Sequence, residues 1–410
     1  MTRKNRVVIV GNGVAGNTAL ETIRQYSQET ELVLISDEPV PFYSAVVLSD
    51  YVAGDIPRKK TFLKSLKDYP EVDLKLGTQI SGIDLAARKV FLEKEALSYD
   101  RLILALGGDA VIPPIEGAQS KGVFVLKTLK DADRLRRFKA TDAVVVGSGP
   151  TGVETAIALK RRGITVSLIE VFDSILPLIF DRDVGRRLEK VLIDHDIKVF
   201  VSDRVIAVIE QKGSVRAVRT EQREIPCQMV VFAVGVRPRT QLVRDAGITV
   251  GPFGGIAVDS TMATSSPFVY ACGDCAEYRD PDCASLKLFW LNARQMGRVA
   301  GSRCVGREVS YVDVEPGAVV DIFGTVAGAI GKKSSEAYGS GTRIVEHEGR
   351  SSYRRIVMVE GKVVGAQFIG SVEQAGLIAA MIRSRYPAEQ RTYGRAGFPA
   401  YQNLAQALGI

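Results

Sequence analysis

Residues 6–16 of the chain read RVVIVGNGVAG, a short β-branched run that ends at a glycine-rich turn. Such a run is typical of a buried parallel strand. The stretch after the turn has a helical pattern to about Tyr26, and Glu31–Ile35 is a second apolar run. Together these segments predict a strand–helix–strand unit with a G-x-G-x-x-G fingerprint at Gly11–Gly16.

The same unit recurs at residues 143–152, AVVVGSGPTG, where a strand again leads into a glycine turn and a helix to about Arg162. The second strand of this copy is Thr165–Ile169. One fingerprint alone is weak evidence, but two copies that each follow a strand and open a helix predict two dinucleotide sites. The alternative is two tight turns in an α/β protein that binds no ligand there. It is disfavoured because each fingerprint follows a strand and begins a helix, as a dinucleotide site requires.

The chemistry of dinucleotide binding explains why glycine stands at each fingerprint position. In each copy the first glycine permits the tight turn, the second lets the backbone approach a pyrophosphate, and the third lets the helix pack against its strand. These positions are Gly11, Gly13 and Gly16 in the first copy and Gly147, Gly149 and Gly152 in the second. The helix N-terminus then offers free N–H groups and the positive end of its dipole to the phosphates.

The residue that ends the second strand of each unit distinguishes between cofactors. Glu170 ends that strand in the second copy, where its carboxylate can accept hydrogen bonds from a ribose 2′-hydroxyl and would repel the 2′-phosphate of NADP. The next three residues include no arginine, so the second site is predicted to take NAD(H). In the first copy Ser36 stands at this end and two acidic residues follow; Glu38 is the predicted ribose ligand and Asp37 is the alternative.

Composition sets the scale and excludes some classes of function. The chain has 410 residues with 46% hydrophobic and 25% charged, which at roughly 150 residues per domain predicts two or three globular domains. The net charge is +7, but the basic residues are scattered without interleaved aromatics, so nucleic-acid binding is disfavoured. An acidic protein partner stays open through electrostatic steering. No run of about 18 apolar residues occurs, so no membrane span is expected.

Cysteine usage favours a reducing compartment. The five cysteines are an odd number, and a strand begins within six residues of Met1, so we expect no signal peptide, reduced thiols and a cytoplasmic location. Cys272 and Cys275 form a C-x-x-C, which we expect to be buried and structural rather than redox-active. Cys283 and Cys304 lie nearby, but the spacing matches no iron–sulphur pattern.

The histidines offer no hydrolytic chemistry. His195 is predicted at a helix end and His347 in a polar turn, and neither lies beside a motif serine or cysteine. A hydrolase triad therefore has little support.

Over about residues 5–385 the chain resembles the pyridine nucleotide-disulphide oxidoreductase family, whose motifs occur here in the family's order. The matching elements are Gly11–Gly16, Tyr99-Asp100 with Ala105-Leu106-Gly107, Gly147–Gly152 with Glu154, Val234–Pro238, and Gly273-Asp274. Residues 353–370 are similar to the C-terminal sheet of NADH-dependent rubredoxin reductases and of the flavin module of NADH-nitrite reductase.

This resemblance implies an α/β fold with two Rossmann-like domains that bind FAD and NAD, and a smaller C-terminal α+β domain. The FAD domain would be split between residues 1–110 and 245–315, with the NAD domain inserted at 111–244. The C-terminal domain would cover 316–410, including an irregular terminal arm after about residue 385.

The resemblance also implies roles for individual residues. FAD would be held at the first fingerprint and by residues further along the chain, namely Ala15, Glu38, Ala105, Gly107, Gly273, Asp274 and Leu291, with Trp290 and Asn292 beside Leu291 at a helix start. NAD(H) would be held at the second fingerprint, with Thr151 and Glu170, while Glu154 and Gly235 would bound the nicotinamide pocket. No residue is assigned a certain catalytic role.

Two departures from the family pattern bear on the chemistry. Residues 41–50, PFYSAVVLSD, contain neither arginine nor lysine where related reductases often carry both; Ala45 and Asp50 fall about there. Glu154 is therefore expected to lack a lysine partner, and burial would raise its pKa. Because no cysteine precedes Cys227, thiol–disulphide chemistry in this stretch is excluded.

These features predict hydride transfer between nicotinamide and flavin, with electrons passed to or from an iron–sulphur or other electron-carrier protein. The protein could be a free-standing NADH:acceptor reductase, or the flavin subunit of a larger complex that reduces NAD. A third hypothesis, from a different class, is an NADH-binding signalling or scaffold flavoprotein with slow turnover. Whether the chain forms a homo-oligomer or a hetero-complex stays open.

Overall fold

The structure, a computed structural model, describes residues 5–279, 284–313, 317–337 and 341–384. Cys283 and the predicted terminal arm lie outside the described residues. In chain order the helices are α1 (Val14–Tyr26), α2 (Leu48–Ala53), α3 (Leu129–Arg137), α4 (Pro150–Arg161), α5 (Arg182–Asp194), α6 (Gln241–Asp245), α7 (Trp290–Cys304) and α8 (Ala375–Ser384). Short 3₁₀ turns occupy Arg58–Thr61, Leu66–Asp68 and Ser334–Glu336.

A parallel sheet organises the first fingerprint. Its strands, in order across the sheet, are Val269–Ala271, Arg101–Leu104, Arg6–Val10, Glu31–Ser36 and Val72–Leu76. The β-branched run of the central strand is buried on both faces, as expected for a parallel strand that helices cover. On one face α1 packs against α7 at very short range, because a Cβ on Gly297 would lie 2.2 Å from the carbonyl oxygen of Ala15.

A second parallel sheet repeats this arrangement around the second fingerprint. Its strands, in order, are Ile197–Phe200, Thr165–Ile169, Asp142–Val146, Met229–Phe232 and Val123–Val125. Helix α4 follows the central strand, just as α1 does in the first sheet. The fingerprint turns therefore lie at the carboxyl ends of the two central strands, where open α/β sheets bind ligands.

Four smaller sheets accompany the two parallel sheets within the described residues. Their strands are Ile80–Asp84, Lys89–Leu92 and Ala96–Ser98; Val205–Gln211, Ser214–Thr220 and Glu224–Pro226; Ile256–Val258, Ala276–Arg279 and Ala284–Leu286; and the pair Gly108–Ala110 and Val236–Pro238.

The predicted C-terminal antiparallel sheet is present. Its strands, in order, are Gly317–Ile322, Thr325–Gly331, Lys362–Ile369, Tyr353–Val359 and Arg343–Glu348, and α8 packs against it. The prediction of a polar turn at His347 is wrong. His347 pairs with Arg354 inside the outer strand, because an edge strand tolerates polar side chains as a turn does.

The predicted α/β fold class is confirmed, with two parallel sheets and an antiparallel C-terminal sheet. The first sheet takes its strand Val269–Ala271 from beyond the whole second sheet. The domain boundaries at 110/111, 244/245 and 315/316 stay predictions. Within the described ranges, no helix is both long and apolar enough to cross a membrane.

Candidate functional site

At the first fingerprint turn, two of the three glycines lie directly against neighbouring backbone and the other faces free space. Gly11 has φ +119°, and a Cβ there would lie 2.0 Å from the carbonyl oxygen of Ala105. A Cβ on Gly16 would lie 2.0 Å from the carbonyl oxygen of Gly11. A Cβ on Gly13, in contrast, would meet nothing within 4 Å. The first and third glycines thus permit the turn and the packing of α1, and the second faces free space.

The second turn repeats this geometry with different neighbours. Gly147 has φ +96°, and its Cβ would lie 2.5 Å from the carbonyl oxygen of Ala233. The Cβ of Gly152 would lie 1.9 Å from the carbonyl oxygen of Gly147, and Gly149 again faces open space. Neither α1 nor α4 has a side-chain cap or an acidic residue in its first turn. Both helix N-termini therefore keep N–H groups available to an anionic ligand.

A cavity of about 650 Å³ brings together residues from both halves of the molecule. Of the residues predicted to bind cofactors, those that line it are Gly11, Gly13, Ala15, Glu38, Ala105, Gly107, Thr151, Glu154, Gly273, Asp274 and Leu291. Gly16, Gly147, Gly149, Gly152, Glu170 and Gly235 are not among its lining residues. Segments that are far apart in sequence thus form one pocket, and its remaining wall comes from the C-terminal strand that starts at Gly317.

A second cavity of about 590 Å³ adjoins the first and shares five lining residues with it, namely Gly11, Ser36, Asp37, Leu106 and Arg239. Arg239 donates hydrogen bonds to Asp37 at 2.9 Å and to Asp109 at 2.6 Å. The two cavities therefore meet at the carboxyl ends of the strands Arg6–Val10 and Glu31–Ser36, where open α/β sheets bind ligands.

The acidic residues after the strand Glu31–Ser36 have different partners. Asp37 is paired with Arg239, while Glu38 accepts a hydrogen bond from the hydroxyl of Tyr43 at 2.9 Å. Burial raises the pKa of Glu38, although the Tyr43 bond opposes this. The same hydroxyl accepts the N–H of Leu129 at 3.1 Å, so it also joins this loop to the start of α3.

Asp274 has a partner that the sequence did not indicate. Nζ of Lys127 donates to its carboxylate at 2.8 Å, and both residues line the main cavity. Lys127 belongs to no motif and lies 147 positions away in the chain, so only the fold brings the pair together. The turn after the first strand is fixed in a similar way, because the amide of Asn12 donates to the carbonyl of Val40 at 3.2 Å.

Glu170 is buried behind the second fingerprint. Its carboxylate accepts hydrogen bonds from the backbone N–H and the hydroxyl of Ser148, at 2.7 and 2.6 Å, and from the N–H of Phe172 at 3.0 Å. The side chain thus stabilises the turn between Gly147 and Gly149. A carboxylate can accept about four hydrogen bonds, so capacity for one more acceptance is left at Oε1.

Glu154 lies on α4 and faces the cavity without a cationic partner. The hydroxyl of Ser49 donates to it at 3.4 Å, and Asp50 is the neighbouring charge that acts on it. Burial, with a further contribution from Asp50, raises the pKa of Glu154 to about 7. The expectation of an unpaired carboxyl with a raised pKa is confirmed.

Helix α7 begins where the sequence predicts, at Trp290. The ring of Trp290 stacks on that of Phe42, with centroids 6.1 Å apart. The next residue, Leu291, is 56% exposed and lines the cavity. Gly235 has φ +120° and open space at its Cβ position.

The described cysteines are free, buried and poorly suited to redox chemistry. Burial raises the pKa of Cys275 to about 11 and that of Cys272 well above its usual range. Cys304 is buried as well, and burial raises its pKa. Thiols held in the neutral form are weak nucleophiles and metal ligands. Within the described ranges no group of cysteine, histidine and carboxylate side chains could hold a metal ion.

The residues present therefore fit dinucleotide cofactors. At each turn the second glycine leaves open the position where a side chain would block a pyrophosphate, and an uncapped helix N-terminus faces that position.

Comparison with known proteins identifies the family. The model of the pyridine nucleotide-disulphide oxidoreductase family matches residues 5–297. The chain is 32% identical to an NADH oxidase of Methanocaldococcus jannaschii, covering 92% of this chain and 90% of that protein. It is 30% identical to the ferredoxin–NAD(+) reductase component of the biphenyl dioxygenase system of Paraburkholderia xenovorans, covering 92% and 93%.

A solved structure agrees with these relatives. The covalent putidaredoxin reductase–putidaredoxin complex matches with a TM-score of 0.85 at 25% identity, covering 94% of each chain. The chain also spans about half the length of nitrite and nitrate reductase relatives. The chain therefore belongs to the pyridine nucleotide-disulphide oxidoreductase family, as an oxidoreductase that uses FAD and NAD(H).

Proposed function

We propose that this protein passes electrons between NAD(H) and a small iron–sulphur carrier protein, with FAD at the first fingerprint and the nicotinamide at the second. The observation that carries the proposal is the shared cavity, which is lined by the first fingerprint turn and by Pro150, Thr151 and Glu154 at the start of α4. When bound, the cofactors supply the chemistry, since hydride passes between nicotinamide and flavin and flavin can exchange electrons singly.

The loop at residues 41–50 supports a route without thiols. Tyr43, Ala45 and Val46 line the cavity from this loop, and the loop contains no cysteine. A cysteine there could relay electrons through a thiol, and this loop has none. We therefore infer that electrons leave the flavin directly to an acceptor that approaches from outside.

The rim of the cavity offers such an acceptor an apolar contact. The side chains of Val46, Leu291 and Val319 are more than half exposed and line the cavity. Exposed arginines, Arg294 and Arg298, follow Leu291 on the outer side of α7. Apolar contact with a basic margin suits an acidic carrier, because complementary charge accelerates encounter and orients the partner.

Within this proposal the residues of the chain bind and orient the two cofactors. The N–H groups of α1 and α4 bind the pyrophosphates, and Glu38 and Glu170 accept hydrogen bonds from ribose hydroxyls. Asp274, which is paired with Lys127, forms a hydrogen bond to FAD. The proposed domains are 1–110 with 245–315 for FAD, 111–244 for NAD(H) and 316–410 at the C-terminus. The free cysteines support a cytoplasmic location.

The signalling or scaffold alternative has no support among the relatives, which are named as oxidoreductases. The test of the proposal is anaerobic mixing of the FAD-loaded protein with NADH, followed by addition of an acidic [2Fe–2S] ferredoxin. We expect rapid bleaching of the flavin absorbance, then reduction of the ferredoxin that slows steeply with rising salt. Bleaching without any transfer to a one-electron carrier would contradict the proposal.

Glu170 should determine the choice between NADH and NADPH. The Glu170→Ala variant removes the carboxylate that would repel a 2′-phosphate, so we expect the preference for NADH to fall about tenfold or more. Flavin reduction rates at limiting NADH and NADPH measure this. Since Glu170 also supports the turn at Ser148, Glu170→Gln is a second variant that removes the charge while its single amide oxygen can still accept the two hydrogen bonds from Ser148. Unchanged discrimination in both variants would refute the assignment.

A further inference from the structure

The pocket side of α4 carries an acid in an unusual electrostatic setting. Glu154 lies one turn beyond Gly149, partly buried, and shares the cavity wall with Ser49 and Thr151. Its contact to α2 is the hydroxyl of Ser49, which donates at 3.4 Å. The α2 segment Leu48–Ala53 contains no basic residue, so it supplies no counter-charge.

The charged groups around this contact are mostly acidic. Asp50 follows Ser49 on α2 and acts on Glu154, and Asp321 from the C-terminal sheet acts on Asp50. Both cations on α4 are engaged elsewhere, since Arg161 is paired with Asp55 at 2.5 Å and Lys160 with Asp196 at 3.5 Å. Lys127, which lines the same cavity, is held by Asp274. Two further charged groups line the cavity on the side of the first sheet. Asp37 is paired with Arg239, and Glu38 accepts a hydrogen bond from the hydroxyl of Tyr43.

No cation stabilises the ionised form of the Glu154 carboxyl. Its burial is only partial, so the neutral form is not the only one populated either. Burial and Asp50 raise its pKa to about 7, so both forms are populated near neutral pH. A lysine in place of Asp50 would remove this property, because an adjacent cation stabilises the charged form.

The two redox forms of the nicotinamide ring differ in charge: the oxidised ring is a cation and the reduced ring is neutral. We infer that Glu154, facing Asp50 and lacking a cationic partner, is the specificity-determining residue by which this protein distinguishes the oxidised from the reduced nicotinamide ring, through gain or loss of one proton on its carboxyl. This inference rests on the proposed position of the nicotinamide at the second fingerprint.

The proton balance follows from linkage. A cationic ring favours the carboxylate, so its binding drives the proton from the Glu154 carboxyl to solvent, whereas a neutral ring leaves the proton in place. Affinity for the oxidised form therefore rises with pH across the titration of Glu154. Affinity for the reduced form does not.

The experiment compares two ligands that cannot exchange hydride with the oxidised holoenzyme. These are NAD⁺ and 1,4,5,6-tetrahydro-NADH, whose ring is neutral and unreactive. Binding is measured by isothermal titration calorimetry between pH 5.5 and 8.5 in buffers of different ionisation enthalpy, which reports affinity and protons released together. We expect NAD⁺ to bind about tenfold more tightly at pH 8 than at pH 6, with proton release near pH 7, and the analogue to bind equally at both.

Variants assign the effect to this site. Glu154→Gln should make NAD⁺ binding independent of pH and abolish proton release, and Asp50→Asn should move the midpoint to lower pH because it removes the like charge. The matched control is Glu189→Gln on α5, a partly buried acid whose pKa is also raised but which does not line the cavity. It should leave the profile unchanged.

The possible outcomes separate the two proposals. If neither ligand binds although FAD is bound, the proposed nicotinamide site is wrong. If both ligands bind with the same pH dependence, the site stands and the inference about Glu154 is overturned. Should Glu154→Gln lose FAD, a lower midpoint of proton release in Asp50→Asn assigns the effect to Glu154, and an unmoved midpoint overturns the inference.

Discussion

Glu154 illustrates how a residue suited to a ligand contact can lower the stability of the ligand-free folded protein. A carboxyl group that is ionised in a partly buried position lacks the hydration it has in the unfolded chain, and here Asp50 adds repulsion. The folded state therefore holds the ionised form less well than the unfolded state does. A site that must accept a cationic ring benefits from this, although the free protein is less stable as a result.

The residue scale gives a prediction about stability and pH. Because the folded-state pKa of Glu154 is raised to about 7 from 4.5, its contribution to stability is fully present below about pH 4.5 and is lost as pH rises through 7. Glu154→Gln should therefore stabilise the protein at pH 8, by roughly 2 kcal/mol, and have little effect near pH 4.5. Thermal unfolding of the holoenzyme at both pH values measures this. A stabilisation that is equal at the two would contradict the assigned cause.

Residues in motifs could be predicted from the sequence, and residues outside motifs could not. The role of each fingerprint glycine follows from backbone geometry alone, so Gly11, Gly13 and Gly16 behave as expected. Lys127 gives no such signal, since a lysine before a helix is usually solvated and its partner Asp274 is remote in sequence. Glu170 was predicted as a ribose acceptor, but its contacts with Ser148 depend on a turn geometry that no local pattern encodes.

At the scale of secondary-structure elements, the C-terminal sheet contacts α5 through ion pairs of one buried arginine. Arg355, on the strand Tyr353–Val359, is 9% exposed and donates to Asp181 at 3.1 Å and to Asp183 at 2.8 Å. Burial alone would raise the pKa of Asp181, but hydrogen bonds from Ser334, Arg355 and Gln367 outweigh it and hold that pKa below its ordinary value. This contact fixes the sheet whose first strand lines the cavity.

Replacing this cation gives an element-scale prediction. Arg355→Met leaves Asp181 buried with its charge uncompensated, which should cost roughly 3–5 kcal/mol at neutral pH. The ion pair contributes stability above pH 3.8 and loses it as pH falls through the lowered pKa of Asp181, so the difference from the parent should shrink in acid. Urea unfolding at pH 7 and well below pH 3.8 measures it, with Arg343→Met on the exposed edge strand as the control. A loss of stability no greater than that of the control would disprove this role.

Element types were predictable where periodicity was long and sequence context was clear. The strands and helices around both fingerprints match the expected bounds to within a residue or two, because β-branched runs and glycine turns are local signals. The outer strand around His347 was missed since its residues are mostly exposed and polar, which leaves no alternation to detect.

At the scale of the whole molecule, polar contacts join segments that are far apart in the chain. Lys127 reaches Asp274, Tyr51 donates to Asp133 at 2.7 Å, and Arg161 is paired with Asp55. None of these pairs could be predicted from the sequence, because each joins segments that only the assembled fold makes neighbours. The existence of two halves was nevertheless evident from the repeated fingerprint.

The Lys127–Asp274 contact gives a prediction at this scale. Lys127→Met removes the cation and leaves a carboxylate beside the proposed FAD site, so we expect FAD affinity to fall about tenfold, in line with the loss of one charge-assisted hydrogen bond. Release of FAD on dilution, followed by its fluorescence, measures this. Lys130→Met on the exposed side of α3 is the control, and Lys127→Arg should retain most of the affinity. Equal FAD retention in the Met variants would show that the contact is only structural.

The late arrival of the strand Val269–Ala271 in the first sheet has a consequence for biosynthesis. While the ribosome has not yet released this segment, the strand Arg101–Leu104 has an unpaired edge, even though the second half of the molecule is already complete. An open edge invites pairing with other chains. We therefore expect the nascent protein to be prone to aggregation during this interval, and the cavity to be complete only after residues 272–293 have been synthesised.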